Sequence, residues 1–170
     1  MPSRTLNMSK YSFDIKSSAD LLNELSRRVD DYNNDPLSSG NAVICAILCY
    51  HVVEWIHQEY KEELPTELKK PKNFFDYIKS ECNSLSYIKD VANGSKHRGI
   101  TKYIPSVKST ENHNGAFSSG FSKDFDVSCL RMEVEENQVV YFNEEIAKAL
   151  SFLRMYLDKL LMATSAAQQT

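Results

Sequence analysis

Polar and titratable side chains crowd one short segment near the middle of the chain, ANGSKHRG at residues 92–99. Lys96, His97 and Arg98 bring two fixed positive charges beside an imidazole, the side-chain type that changes charge nearest neutral pH. Such a group can bind a phosphate, and the histidine can transfer protons in phosphodiester cleavage. The same residue types also favour the last turn of a helix, where they face free carbonyls and the negative end of the helix dipole. The segment therefore predicts either a site or an ordinary helix end.

The spacing of the neighbouring residues favours a site. Asp90, Asn93 and His97 are three and four positions apart, so they share one helix face if the helix continues through Gly94. Gly94 can instead end the helix, and the sequence leaves both alternatives open. A helix dipole does not explain a carboxylate and an amide on the histidine's face, so Asp90, Asn93 and His97 are candidate site residues, in which His97 could be a general acid or base and Asn93 and Asp90 could orient either the histidine or the phosphate. Lys96 is predicted to stabilise negative charge.

A second polar stripe lies on an otherwise apolar segment, YHVVEWIHQEY at residues 50–60. His51 and Glu54 are three positions apart and share a helix face. Buried polar groups without partners cost several kcal/mol, so this pair should be hydrogen bonded. Two interpretations remain open. The pair fixes helix register or belongs to a stripe that reaches the edge of the bundle, or it lies against Asp90, Asn93 and His97 in one shared polar pocket.

Metal and nucleotide motifs do not account for these residues. Glu54 and His57 match the E-x-x-H spacing of di-iron bundles, but such bundles need two of these pairs and two further carboxylates. The chain has no second E-x-x-H, and it lacks H-E-x-x-H, P-loop and G-x-G-x-x-G patterns. No C-x-x-C pair occurs among the four cysteines, which makes a structural zinc site unexpected. We predict no metal and no cofactor.

Composition indicates an ordinary globular domain. The chain has 170 residues, 42% of them hydrophobic, and a net charge of -3, which gives no overall basic character for nucleic-acid binding. The polar N-terminus has no signal-peptide pattern, and the longest apolar run, residues 42–53, is too short to span a bilayer. Free cysteines suit a reducing compartment. We therefore expect a cytoplasmic protein of one domain that does not associate with a membrane.

The elements that must position these side chains follow from the spacing of apolar residues. Helical periodicity predicts helices over residues 18–31, from residue 39 or 41 to 60, from about Asn73, and from about residue 85 into the ANGSKH segment. The second of these is apolar on nearly every face, which is typical of a helix in the centre of a bundle. Residues 127–134 and 138–142, around the turn EENQ, predict a β-hairpin, and Asn143 is predicted to cap a last helix.

The predicted class is therefore mostly α, a bundle of about four to five helices with a small β-hairpin before the C-terminal helix. We expect a flexible N-terminal arm over residues 1–16 and a single helical domain over residues 17–163. That domain carries a loop and hairpin insertion at residues 99–142. Residues 164–170 are predicted to form a frayed tail.

The combination of HVVEWIHQE on one helix with KDVANGSKH on a later one resembles a set of uncharacterised bacterial proteins. A mostly helical chain of this size, with a polar residue or two followed by a histidine on a late helix, is similar to the HEPN superfamily. Members of that superfamily are compact helical bundles, commonly dimeric, found among prokaryotic toxins and anti-phage defence proteins, and many cleave RNA without a metal. In the uncharacterised bacterial proteins a helix with an acid–Trp pair precedes a D-x-x-N-x-x-K-H segment. The resemblance covers roughly residues 40–160. It implies a metal-independent RNase or toxin of a defence or toxin–antitoxin system, a homodimer, RNA as substrate and an operon-encoded protein partner.

The chain departs from the HEPN nuclease motif ahead of the histidine. In that motif an arginine precedes the histidine, with four to six residues between them. Here the nearest stand-in is Lys89, which is one residue too far from His97, and Arg98 follows the histidine. Lysine also lacks the bidentate fork with which arginine binds phosphate. The resemblance therefore implies either that residues 90–97 carry catalysis in altered form or that catalysis has been lost.

A second hypothesis is a non-catalytic helical adaptor, or an antitoxin-type protein that binds a partner. The polar stripes would then fix helix register. The segment at residues 99–125 would be the contact surface, because it interleaves Gly, Ser, Asn and Lys with single aromatic residues, Tyr103, Phe117, Phe121 and Phe125. The mild acidity of the chain fits this hypothesis slightly better than it fits a nucleic-acid enzyme.

Overall fold

The computed structural model describes residues 12–135 and 138–167. Within these residues the elements follow in the order α1 (Ser18–Asn34), α2 (Ser39–Tyr60), a 3-10 turn (Thr66–Leu68), α3 (Pro71–Glu81), α4 (Ser84–His97), β1 (Ser109–His113), β2 (Cys129–Glu135), β3 (Gln138–Tyr141) and α5 (Phe142–Ala167). The predicted class is confirmed, since a helical bundle carries a small antiparallel sheet before its last helix.

Helix α2 lies at the centre of the bundle. It packs against α1, α4 and α5, and it buries one small or branched apolar side chain after another, among them Cys45, Cys49, Val52 and Ile56. By length and composition alone α2 is also apolar enough to cross a membrane. Its packing against three helices accounts for part of that apolarity, whereas Ile44 remains 47% exposed.

Local signals set the starts of α1 and α3. The Ser17 side chain accepts a hydrogen bond from the backbone of Asp20 at 3.1 Å, and the Asp20 carboxylate accepts one from the backbone of Ser17 at 2.9 Å. This reciprocal pair forms a capping box. Helix α3 begins at Pro71, whose fixed φ suits a first helical turn, so the predicted start at Asn73 is wrong. The Asn73 amide instead donates to the carbonyl of Glu67 at 2.8 Å.

Helix α4 continues through Gly94 and ends at His97, which decides between the two alternatives that the sequence left open. Its first turn is fixed against α5, because the Ser84 hydroxyl donates to the buried carboxylate of Glu145 at 2.5 Å. The Lys148 ammonium lies 2.6 Å from the other oxygen of that carboxylate. Since the buried charge is both paired and hydrogen bonded, it anchors the helix that carries the predicted catalytic residues.

The sheet has three strands in the order β1-β2-β3, all antiparallel. The predicted hairpin corresponds to β2 and β3, and its turn residues 136 and 137 lie outside the described residues. Strand β1, which pairs Ser109 with Glu133 and His113 with Cys129, lies within residues 99–125, whose composition suits either a long loop or irregular strands and predicts no bounds for a strand. Its sequence, STENH, has no apolar alternation and its side chains are mostly exposed, so periodicity could not identify it.

Helix α5 begins at Phe142, so Asn143 lies inside its first turn and the predicted cap is wrong. The apolar stripe of α5 is buried within the same chain, at Ile146, Leu150, Leu153 and Leu157. The helix extends through residues 164–167 of the predicted tail, whereas residues 168–170, like residues 1–11 of the predicted arm, lie outside the described residues. The homodimer stays a prediction.

Candidate functional site

An open pocket of about 930 Å³ lies between α2 and the C-terminal turns of α4, with residues 99–103 along one side. This size falls within the range of about 300–1,000 Å³ that is typical of small-molecule sites. Arg98 has a positive φ of 56° and ends α4 in the left-handed conformation, which turns the chain back along the pocket. We call this cavity the α2–α4 pocket.

Five of the six residues predicted from the sequence line the α2–α4 pocket, namely His51, Glu54, Asn93, Lys96 and His97. The sixth, Asp90, does not line it. The unbroken helix through Gly94 is what places Asn93 and His97 on the face of α4 that looks toward α2. The structure therefore joins the two polar stripes in one open site.

His51 and Glu54 form a hydrogen-bonded pair. The Nδ1 atom of His51 lies 2.7 Å from Oε2 of Glu54, and both side chains are close to half exposed. The hydrogen bond from His51 lowers the pKa of Glu54, and a hydrogen bond from the Tyr50 hydroxyl acts in the same direction. Because an ionised carboxylate can only accept, Nδ1 carries the proton, which leaves Nε2 free to act as a base in the neutral imidazole.

Positive charge dominates the rest of the α2–α4 pocket. Lys96, Arg98 and Lys102 line it, whereas Glu54 is the single carboxylate in its lining. The charge of Lys96 also contributes to lowering the pKa of Glu54, so it acts across the pocket from α4 to α2. In a chain with a net charge of -3 this is a local basic site that overall composition could not reveal.

Asp90 holds one wall of the pocket in place. Its side chain is buried, and Oδ1 accepts a hydrogen bond from the Tyr103 hydroxyl at 2.8 Å. Oδ2 accepts from the backbone N–H groups of Ser106 at 2.6 Å and Val107 at 3.0 Å. The Asn93 amide donates to the same Tyr103 hydroxyl at 3.0 Å. Burial raises the pKa of Tyr103 to about 12, and the hydrogen bond to Asp90 acts in the same direction.

Three side chains of the pocket were missed by the sequence analysis. Tyr103 and Lys102 lie in the irregular segment after α4, where no spacing distinguishes them, and Tyr50 belongs to a strongly apolar helix. The available signal was local: TKY follows the end of α4 by only a few residues, too few to leave the neighbourhood of His97.

The E-x-x-H spacing of Glu54 and His57 does not form a pair in space. Glu54 contacts His51, whereas His57 is buried, with its ring centroid 5.1 Å from that of Phe74. Its Nε2 donates to the backbone carbonyl of Lys69 at 3.0 Å. In the part of the chain that the structure describes, no group of three or more His, Cys, Asp or Glu side chains is arranged to hold a metal ion.

Comparisons with protein-family models, with curated proteins and with solved structures found no match. The functional conclusion therefore depends on the chemistry of the α2–α4 pocket.

Proposed function

We propose that the protein is a HEPN-like, metal-independent ribonuclease that cleaves RNA by attack of a 2′-hydroxyl on the adjacent phosphate. One observation carries the proposal: His97 from α4 and the His51–Glu54 pair from α2 line one open pocket together with three cationic side chains. The reaction needs a base for the 2′-hydroxyl, an acid for the leaving 5′-oxygen and positive charge at the phosphate. The α2–α4 pocket contains a group for each task.

The hydrogen bond to Glu54 favours His51 as the base, and the position of His97 in the same pocket favours it as the acid. Nε2 of His51 removes the proton of the 2′-hydroxyl, and Glu54 stabilises the imidazolium that forms. The 2′-oxygen bonds to phosphorus, the bond from phosphorus to the 5′-oxygen breaks, and His97 donates a proton to that 5′-oxygen. Lys96 and Arg98 stabilise the charge on the non-bridging oxygens. The products are a 2′,3′-cyclic phosphate and a 5′-hydroxyl.

Asp90 and Asn93 have positioning roles in this proposal. Both hydrogen bond to the Tyr103 hydroxyl, and Asp90 also binds the backbone of the following residues. They thereby hold the wall that faces His97. A toxin or defence role would follow from the resemblance to HEPN proteins, since uncontrolled RNA cleavage arrests growth.

Side-chain variants test the catalytic assignment. A labelled single-stranded RNA is incubated with the purified protein in the presence of EDTA, and His97→Ala and His51→Ala should each slow cleavage by about 10²–10⁴-fold, the usual contribution of a general acid or base. His113→Ala is the matched control, because His113 contacts Asp126 on the sheet and lies outside the pocket. Equal rates for the native protein and His97→Ala, or no cleavage by the native protein with its operon partners present, would disprove the proposal.

A second candidate function is partner binding without catalysis. Phe117, Phe121 and Phe125 are 41%, 55% and 53% exposed, and the last two rings lie 5.4 and 5.3 Å from the first. Exposed apolar clusters of this kind are typical of interaction surfaces. The double variant Phe121→Ser/Phe125→Ser should then lose a partner encoded in the same operon while its thermal unfolding midpoint is unchanged. Undiminished co-purification would reject this surface.

A further inference from the structure

A second pocket adjoins the α2–α4 pocket and shares Tyr50 and Glu54 with it. It has a volume of about 570 Å³ and lies between α2 and α3, with Lys89 of α4 at one side. Four aromatic side chains contribute to its walls, Tyr50, Trp55, Phe74 and Phe75. We call it the aromatic pocket.

Three of these rings reach the surface of the aromatic pocket. Phe74 is fully buried and belongs to the core, whereas Tyr50, Trp55 and Phe75 are only partly buried. The ring centroids of Tyr50 and Phe75 are 5.5 Å apart with an interplanar angle of 54°. Partly exposed rings in a concave site suit flat aromatic ligands, and every nucleobase presents such a face.

Lys89 lies at the boundary between the two pockets. Its ammonium is 4.7 Å from the ring centroid of Phe75, which lines the aromatic pocket, and 4.5 Å from that of Tyr103, which lines the α2–α4 pocket. None of the ion pairs among the described residues includes this ammonium. Asp90 and Asp76 act on this charge electrostatically, but among the described residues no carboxylate lies within ion-pair distance, so a partly buried cation held between two rings is suited to an additional anion.

We propose that the aromatic pocket is a stacking subsite for one base of a single-stranded RNA, with Lys89 contacting a phosphate next to that base. This inference rests on the proposed function, because the cleaved bond would lie at His51 and His97 while the neighbouring nucleotide occupies the aromatic pocket. The strand must be single because the bases of a duplex are already paired and stacked on one another.

Trp55 provides a direct probe, since it is the single tryptophan of the chain and it lines the aromatic pocket. The His97→Ala protein, which should bind RNA without cleaving it, is titrated with pentauridylate while tryptophan fluorescence is recorded. Saturable quenching is expected. Inorganic phosphate and an abasic pentanucleotide should give little or no quenching, because neither carries a base that can stack.

Two variants and their controls separate stacking from charge. Phe75→Leu should weaken pentauridylate binding roughly tenfold, within the range for loss of one base–aromatic stack, whereas Phe125→Leu, which removes a ring that lines neither pocket, should not. Lys89→Gln should reduce the slope of log Kd against log salt concentration by about 0.7, the value for one phosphate of a single strand. Lys159→Gln, on the exposed face of α5, should leave that slope unchanged.

Unfolding midpoints of all variants are measured alongside, so that a weakened Phe75→Leu protein is compared only if it is folded. Lys89→Gln provides the second test if it is not. The stacking subsite would be overturned if pentauridylate caused no quenching. It would also be overturned if pentauridylate bound with the same Kd to the protein with Phe75 and to the Phe75→Leu protein. Cleavage of the same oligonucleotide by the native protein without any Trp55 response overturns the subsite alone. Quenching without any cleavage overturns the proposed ribonuclease activity and leaves a single-stranded RNA site.

Discussion

Replacing Asp90 with alanine should destabilise the fold and loosen the wall of the α2–α4 pocket. The buried N–H group of Val107 would lose its acceptor, which costs about 1–3 kcal/mol for an unsatisfied buried group. The Tyr103 hydroxyl would lose its hydrogen bond to the charged Asp90 carboxylate, and a hydrogen bond of this kind contributes about 1.5–3 kcal/mol. Ser106 is exposed, so its N–H group can bind water instead. Because local relaxation offsets part of these losses, we expect a total cost of about 2–4 kcal/mol.

Asp90→Asn provides a graded comparison. The amide oxygen can still accept from the two backbone N–H groups that now bind Oδ2, but the negative charge is lost, so the expected cost is about 1–2 kcal/mol. Asp158→Ala, at an exposed position of α5, is the control.

Urea unfolding measures the free energies, and hydrogen exchange measures the protection of the two amides. Faster exchange at residues 106 and 107 is expected in Asp90→Ala. A free energy of unfolding within about 0.5 kcal/mol of the native value, together with unchanged exchange at these amides, would refute the positioning role.

Three further predictions concern the backbone and the pH dependence of stability. Gly94→Ala should stabilise the protein by about 1 kcal/mol in urea unfolding, because Gly94 is inside α4 and a Cβ there meets no atom within 4 Å; a destabilised variant would contradict this. The pKa of Tyr103 rises from 10.0 to about 12 on folding. The stabilisation of the folded state by the protonated Tyr103 hydroxyl is therefore complete below pH 10 and is lost as the pH rises through 12. Between pH 10 and pH 12 the free energy of unfolding of the native protein should therefore fall relative to that of Tyr103→Phe. A constant difference would exclude a raised pKa of Tyr103 in the folded state. Gly115→Ala should cost about 1–3 kcal/mol, because its Cβ would lie 2.3 Å from the carbonyl oxygen of Asp126, whereas Gly120→Ala should stay within about 0.5 kcal/mol; equal thermal midpoints would be inconsistent with that contact.

The helices were predictable because their apolar residues recur at helical spacing and bury one face each. Leu21, Leu25 and Val29 of α1 illustrate this, since all three are buried as their spacing predicts. The bounds of strand β1 were not predictable, because its exposed polar side chains carry no apolar alternation, and the side-chain bond from Arg131 to Glu111 across β2 and β1 follows no periodicity. Helix α3 begins at Pro71, two residues before the predicted Asn73, because the fixed φ of proline suits the first helical turn.

The candidate site was predictable only in part, for a similar reason. Helical spacing places Asp90, Asn93 and His97 on one broad face of α4. Asp90 is buried on that face, whereas Asn93 and His97 line the open pocket. Which residue meets the pocket depends on where residues 103–107 return to α4, and no periodicity encodes that return. The positive charge of the pocket depends on the same turn, since Arg98 and Lys102 reach it only because the chain reverses after α4.

The most direct test of the central claim is the chemistry of the cleaved ends. A single-stranded RNA and its 2′-O-methyl counterpart are incubated with the native protein in EDTA, and the fragments are identified by mass spectrometry. We predict fragments that end in a 2′,3′-cyclic phosphate from the RNA and none from the 2′-O-methyl strand, because the 2′-hydroxyl is the nucleophile. Fragments with a 5′-phosphate and a 3′-hydroxyl, cleavage of the 2′-O-methyl strand, or an intact RNA would contradict the proposed function.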